Sequence, residues 1–425
     1  MGARLGGSPT MTALPTARQL AYQDWEFGLF LHFGIRTFYE GYVDWDGKPM
    51  SAACFAPSAL DCDQWIETAV AAGMRYAVLT AKHHDGFANW PTQWTDFSVA
   101  SSPWRDGQGD LVEEFVQACR RHEVRVGLYY SPADWHYPYE DPAAYNDYLA
   151  GQLTELCRDY GPLNILWFDG CGSEEREYDW PRLMGVVREL QPQVLVFNMG
   201  EPDYRWVGNE AGLAPVPCWN TVDGEGRPVA PDERAGQEAA LRWLPAECDC
   251  RMRARNWFYS DQDVDTVKGL DELLALHSYS VGRGCNLLLN VGPDCRGLLP
   301  DPDARRLREL GPALAGRFGA PLVALSSFER DGASWMVPFE RPQRIDQLVV
   351  QEEIAQGEQI QQFAVEAMLA PSGRPSVLVY AGESIGHKAV CRFPPLTAWG
   401  VRFRVLRAAG PVCLRALDLY DAGGR

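Results

Sequence analysis

Asn164-Ile165-Leu166-Trp167-Phe168-Asp169-Gly170 runs four apolar residues straight into an acid and a glycine. A continuous apolar run bounded by turn residues suits a strand of a parallel sheet buried on both faces. An aspartate at the carboxyl end of such a strand sits where α/β barrels carry their chemistry, because the βα-loops there form the active-site face. Side chains alternate along a strand, so Trp167 and Asp169 share a face. An aromatic wall beside one acid suits an uncharged ring that needs a stacking surface and a reactive group. The competing reading makes Asp169 a cap for the segment that follows.

On both sides of this stretch the same grammar repeats. Strand patterns at Phe27 to Gly34, Tyr76 to Thr80, Val124 to Tyr130 and Val194 to Asn198 alternate with helical periodicity. The helical stretches are Leu60 to Gly73, Leu111 to His122, Pro142 to Tyr160 and Trp180 to Leu190. Residues 202–260 read as irregular, and helix Leu270 to Ser280, strand Asn286 to Val291 and helix Asp303 to Phe318 complete the pattern. Alternation at this length predicts a (β/α)8-type barrel over residues 1–325. From Ser326 short alternating runs separated by turns predict a C-terminal β-sandwich domain over 326–425.

Composition excludes several classes. A net charge of −18 repels nucleic acid and anionic membranes. No stretch has the length of a membrane span or the apolar core of a signal peptide, and Met11 is an alternative start to Met1. Twelve cysteines without a CxxC pair or a disulfide-scaffold spacing point to buried thiols and a reducing cytoplasm. Cys248-Asp-Cys250 lacks the second pair that a zinc site needs.

Three of the seven histidines, His32, His83 and His84, fall at predicted strand ends and so converge on one face. With Asp85 and Asp169 they form a candidate metal set, although adjacent His83 and His84 should point to opposite sides of an extended strand and no HxH or HExxH pattern occurs. Alternatively the imidazoles bond sugar hydroxyls while aromatic side chains cover the sugar's apolar face. Tyr129, Tyr130, Trp135, Trp167, Trp206 and Trp257 are placed for this. Retaining hydrolysis of a glycoside needs a second carboxyl near Asp169. Glu210, with Arg205, Trp206 and Asn209 close by in sequence, Glu247 and Asp223 are the candidates.

FGLFLHFG, LTAKHHDGF, VGLYYSPADW, LWFDG, RWVGNEAG, LPAECDCRMRARNWFY and SVGRGCNLLLNVGPDCRG occur in this order from Phe27 onward. The ordered set resembles the α-L-fucosidases of glycoside hydrolase family 29, over about Phe27 to Phe318. The resemblance implies Asp169 as nucleophile and Glu210 as acid/base. It implies His32, His83, His84, Tyr130 and Trp167 around the fucose, and the aromatic pattern adds Trp206 and Trp257 as binding candidates. It also implies a fucosylated glycan as substrate, no cofactor and no metal. RWVGNE followed by PAE and WFY looks like the branch preferring α-1,3/1,4-linked fucose. Ser260 and the basic run Arg251 to Arg255 depart from that branch's pattern. Two rivals remain: a metal-dependent barrel hydrolase and a catalytically silent carbohydrate-binding protein. The C-terminal domain shows no DxDxDG calcium loop and reads as a brace for the barrel.

Overall fold

The computed structural model describes residues 13–39, 48–236 and 240–423. Met1 and Met11, the two alternative starts, lie outside them. Eight parallel strands form one sheet: β1 Phe27–Leu31, β2 Tyr76–Lys82, β3 Arg125–Tyr130, β4 Ile165–Phe168, β5 Leu195–Phe197, β6 Arg205–Trp206, β7 Ala246–Arg251 and β8 Asn286–Asn290. Neighbours run β5-β4-β3-β2-β1-β8-β7-β6, and a parallel bridge from Phe197 to Tyr204 brings the two edges together. The sheet is therefore a barrel, and every strand delivers its carboxyl end to the same rim.

Sequence chemistry sets the helix starts. Asp61, Asp110, Asp141 and Asp179 cap the helices Cys62–Ala71, Leu111–Arg121, Pro142–Asp159 and Trp180–Leu190 through their side-chain oxygens. Such caps are each worth ~1 kcal/mol, and proline in the first turn of the latter two suits positions whose N–H has no partner. Helices Leu270–Tyr279 and Asp301–Phe318 close the ring, whereas no α-helix stands between β5 and β7 among the described residues.

Two elements were illegible beforehand. Helix Ala17–Gln23 carries a Thr16/Gln19 capping box and sends Tyr22 into the barrel interior. Strand β7, inside the stretch read as irregular, puts Glu247 and Asp249 toward the barrel lumen and packs Cys248 and Cys250 into the outer apolar core. Its polar side faces inward, the reverse of an ordinary half-buried strand.

Beyond Phe318 the chain forms one six-stranded antiparallel sheet, with the strands Glu329–Asp331, Ser334–Glu352, Ile360–Met368, Ser376–Gly382, Ala389–Ala408 and Leu414–Tyr420. Register shifts at Pro338/Gln343 and Ile345/Gln347 interrupt the two longest strands, and bulges of this kind bend a sheet. The strands enclose their own apolar core, including Trp335, Leu348, Phe363 and Phe403. This is the expected barrel followed by a C-terminal β domain.

Candidate active site

The floor of the site is an aromatic layer built by strand register. Tyr129, Trp167 and Phe197 are direct partners on β3, β4 and β5, so their rings stack side by side. Trp167 lies 5.3 Å from Tyr129 and 4.1 Å from Phe197, at interplanar angles of 18° and 17°. From below, the buried Glu247 carboxylate accepts the Trp167 indole N–H at 2.9 Å and the hydroxyls of Tyr22 and Tyr76 at 2.7 and 2.8 Å. Burial pushes the Glu247 carboxyl up to about 7, although these three donors pull it down.

Above this floor lies a cavity of about 300 Å³ lined by His32, His83, His84, Tyr129, Trp167, Asp169, Trp206, Glu210, Asp249 and Trp257, with Phe30, Gly170, Cys171, Phe197 and Asn198. Asp169 sits two residues after Trp167, as the alternation requires. Tyr129 OH donates to its Oδ2 at 2.7 Å and the Cys171 N–H to its Oδ1 at 2.9 Å, and His84 Nε2 lies 3.5 Å from Oδ2. Burial alone would raise the Asp169 carboxyl. His84, the Cys171 amide and Tyr129 outweigh it and hold the group below the usual aspartate range. Asp169 is therefore ionised at neutral pH.

Two of the histidines, His32 and His84, are oriented by a second group. Asn290 donates its amide N–H to the Trp257 carbonyl, so its Oδ1 accepts the His32 Nδ1–H at 2.7 Å. Burial pulls His32 down to about 3, which leaves a neutral ring with Nε2 as an acceptor. The Ser131 hydroxyl donates to the Ala133 carbonyl, so the His84 Nδ1, 2.6 Å from Ser131 Oγ, carries its hydrogen. Burial, then the charges of His84 and His32, lower His83 well below the ordinary imidazole value. His83 and His84 do not diverge as an extended strand would have them. β2 ends at Lys82, and the Gly86 N–H bonds back to the His83 carbonyl in a turn completed by Gly86 at φ +86°. Both rings thereby line the cavity, 4.3 Å apart.

Several expectations need correction. Tyr130 does not line the cavity; its hydroxyl donates to Gln152 at 2.7 Å and its ring carries the Lys82 ammonium. The tyrosine facing the site is Tyr129, because adjacent residues of a strand take opposite faces. Asp85 is turned away from the cavity, accepts the Phe87 N–H and lies 3.4 Å from Arg36. Arg205 does not touch Glu210 but donates to the Trp219 carbonyl. Arg251 stands there instead, 3.6 Å from Glu210 Oε2 and 5.3 Å from the Trp257 ring centre. Ser260 caps the turn Asp261–Thr266 and Arg253 binds Asp303 and Asp263, whereas Arg251 reaches the cavity's edge at Glu210. Glu247 lies beneath the floor, and Asp223 closes a turn with Arg227 outside the cavity. Asp249, which the sequence reading passed over, lines the cavity while nearly buried, and its Oδ1 accepts the Trp206 indole N–H at 2.7 Å. Its signal was the strict two-residue alternation of Ala246-Glu-Cys-Asp-Cys-Arg251. Among the described residues no group of three or more His, Cys, Asp or Glu is arranged to hold a metal ion.

An ionised carboxylate at a barrel strand end, a second carboxyl across an aromatic cavity and the neutral imidazoles of His32 and His83 define a glycoside hydrolase site. The family model for alpha-L-fucosidase matches residues 9–316. Putative alpha-L-fucosidase 1 of Oryza sativa subsp. japonica is 35% identical over 420 residues, covering 90% of this chain and 80% of the relative. Alpha-L-fucosidase 1 of Arabidopsis thaliana is 32% identical, covering 89% and 82%. The crystal structure of a putative alpha-L-fucosidase from Bacteroides thetaiotaomicron superposes with a TM-score of 0.86 at 33% identity, covering 96% of this chain and 97% of that one. The chain belongs to the α-L-fucosidase family, glycoside hydrolase family 29.

Proposed function

We propose that the chain is a retaining exo-α-L-fucosidase in which Asp169 is the nucleophile and Glu210 the acid/base. The observation that carries this reading is the Asp169 carboxylate, held ionised by Tyr129, His84 and the Cys171 amide directly above the aromatic floor. Asp169 attacks the anomeric carbon of fucose while Glu210 protonates the departing glycosidic oxygen. Glu210, now a carboxylate facing Arg251, takes a proton from water, which attacks the fucosyl-enzyme and frees Asp169. His32 Nε2 accepts a hydroxyl proton of the sugar, and His83 and His84 bind further hydroxyls. Trp167 packs against the sugar's apolar face, and Trp206 and Trp257 flank the leaving group.

The α-1,3/1,4 preference is the finer part of the proposal, supported by the position of Glu210 in RWVGNE. The silent-binder rival loses ground to the two carboxyl groups in one cavity. Residues 1–325 and 326–425 are proposed as catalytic and bracing domains, supported by separate apolar cores and by polar ties such as Asn220 to Glu358. Cytoplasmic residence is proposed from twelve free thiols, including Cys218 and Cys285 with sulfurs 3.5 Å apart. Nuclear magnetic resonance of the first product from an aryl α-L-fucoside tests the mechanism: α-L-fucose forming first means retention, and β-L-fucose first refutes it.

A further inference from the structure

Asp249 is the carboxyl that the proposed mechanism leaves unused. It projects from the middle of β7 into the cavity, between Glu247 below the floor and Arg251 at the rim, and is 5% exposed. The hydrogen bond it accepts at 2.7 Å comes from Trp206, which is 38% exposed. Trp206 belongs to a two-residue strand paired to β7 only through Arg205–Ala246 and Trp206–Glu247. A large ring on so short an element keeps one orientation only if a side-chain contact fixes it, because both of its side-chain torsions are otherwise free.

We propose that Asp249 is a positioning residue: by accepting the indole N–H it fixes Trp206 as the wall against which the sugar beyond the cleaved bond packs. This rests on the reading that Glu210, four residues after Trp206, marks the leaving-group side of the cavity. The charge state supports the role. Burial, then the neighbouring Glu247 and Glu210 carboxylates, push Asp249 up to about 8, against the pull of the Trp206 bond. Arg251, on the same strand, faces Glu210. Below that pH Asp249 is a neutral acid, which can accept from Trp206 with one oxygen and offer a proton to a sugar hydroxyl with the other. Asparagine has the same shape and the same acceptor-plus-donor pair. Leucine has neither.

The test compares Asp249→Asn and Asp249→Leu on an α-1,3/1,4-fucosylated trisaccharide and on an aryl fucoside, near pH 6. Asp249→Leu should raise KM for the trisaccharide about tenfold, the worth of one anchoring bond, and raise it less for the aryl fucoside. Asp249→Asn should restore the trisaccharide KM to within about threefold of wild type. In a Trp206→Ala background Asp249→Leu should add no further loss, because the contact is already gone. Equal collapse of kcat on both substrates in Asp249→Asn would overturn the proposal by putting Asp249 at the reacting atoms. An unchanged trisaccharide KM in Asp249→Leu would also overturn it. Failure of the nucleophile and acid/base assignments would show instead in Asp169 and Glu210 variants, with these KM ratios left intact.

Discussion

Replacing Tyr129 by phenylalanine removes one hydroxyl 2.7 Å from Asp169 Oδ2 and leaves the ring that stacks on Trp167. A hydrogen bond to a charged group contributes about 1.5–3 kcal/mol. In the second half-reaction the bond from Asp169 to the anomeric carbon breaks and the carboxylate regains its charge, so this donor stabilises the transition state. If half of that charge has returned there, the loss is about 0.75–1.5 kcal/mol, or a fall of about 3- to 13-fold in kcat. The sign on pH is also fixed. Tyr129 is one of the groups that lower Asp169, so its removal moves the acidic limb of kcat/KM upward. Steady-state kinetics on an aryl α-L-fucoside from pH 3 to 8 give both quantities. A Tyr129→Phe enzyme with wild-type kcat and an unmoved acidic limb would refute the reasoning that ties Tyr129 to a nucleophilic Asp169.

Other outcomes are equally specific. Exhaustive chelation should leave activity unchanged, while His32→Ala should weaken fucose binding in calorimetry; activity lost to chelator and restored by a divalent ion would favour the metal-dependent rival. Glu210→Ala should cripple hydrolysis of a fucosylated oligosaccharide and affect an aryl fucoside with a good leaving group much less in the first step, since acid assistance matters most for poor leaving groups. Added azide, attacking the face that the leaving group vacated, should then yield α-fucosyl azide, and the same behaviour from Glu247→Ala, with Glu210→Ala like wild type, would exchange the two roles. Glu247, Asp249, Glu352 and Glu358 are raised to about 7, 8, 8 and 7, all first by burial. Groups raised in this way contribute stability that is complete below their unfolded value, near 4, and is lost as pH rises through 7 to 8. Tm should accordingly fall between pH 5 and 8, and a Tm that rises across that window would contradict the sign.

Wherever hydrophobic periodicity and caps were plain, the sequence exposed the fold. Strand β4 and the capped helices carry their own signals, because their apolar residues face apolar neighbours on the side that the period predicts. β7 was missed because its lumen side holds Glu247 and Asp249, so a strand that builds the site looked like a loop. The long strands Ser334–Glu352 and Ala389–Ala408 were only half legible, since their exposed central parts carry Pro, Arg and Gln. In the site, Asp169 and the three histidines were readable as polar residues at strand ends. Tyr129 was not separable from Tyr130, because parity along β3 needs one anchored neighbour, which the register with Trp167 supplies. The convergence of His83 and His84 depends on the turn at Gly86, where β2 has already ended.

The covalent role of Asp169 can be seen by trapping the intermediate. Incubation with an activated 2-deoxy-2-fluoro-fucoside slows both steps by withdrawing electrons from the oxocarbenium-like transition states, so the fucosyl-enzyme accumulates when the leaving group is good. Proteolysis and mass spectrometry then locate the added sugar. One fluorofucosyl group should be found, on Asp169. A label on Asp249, Glu210 or Glu247, or complete turnover with inversion and no adduct, would contradict that role.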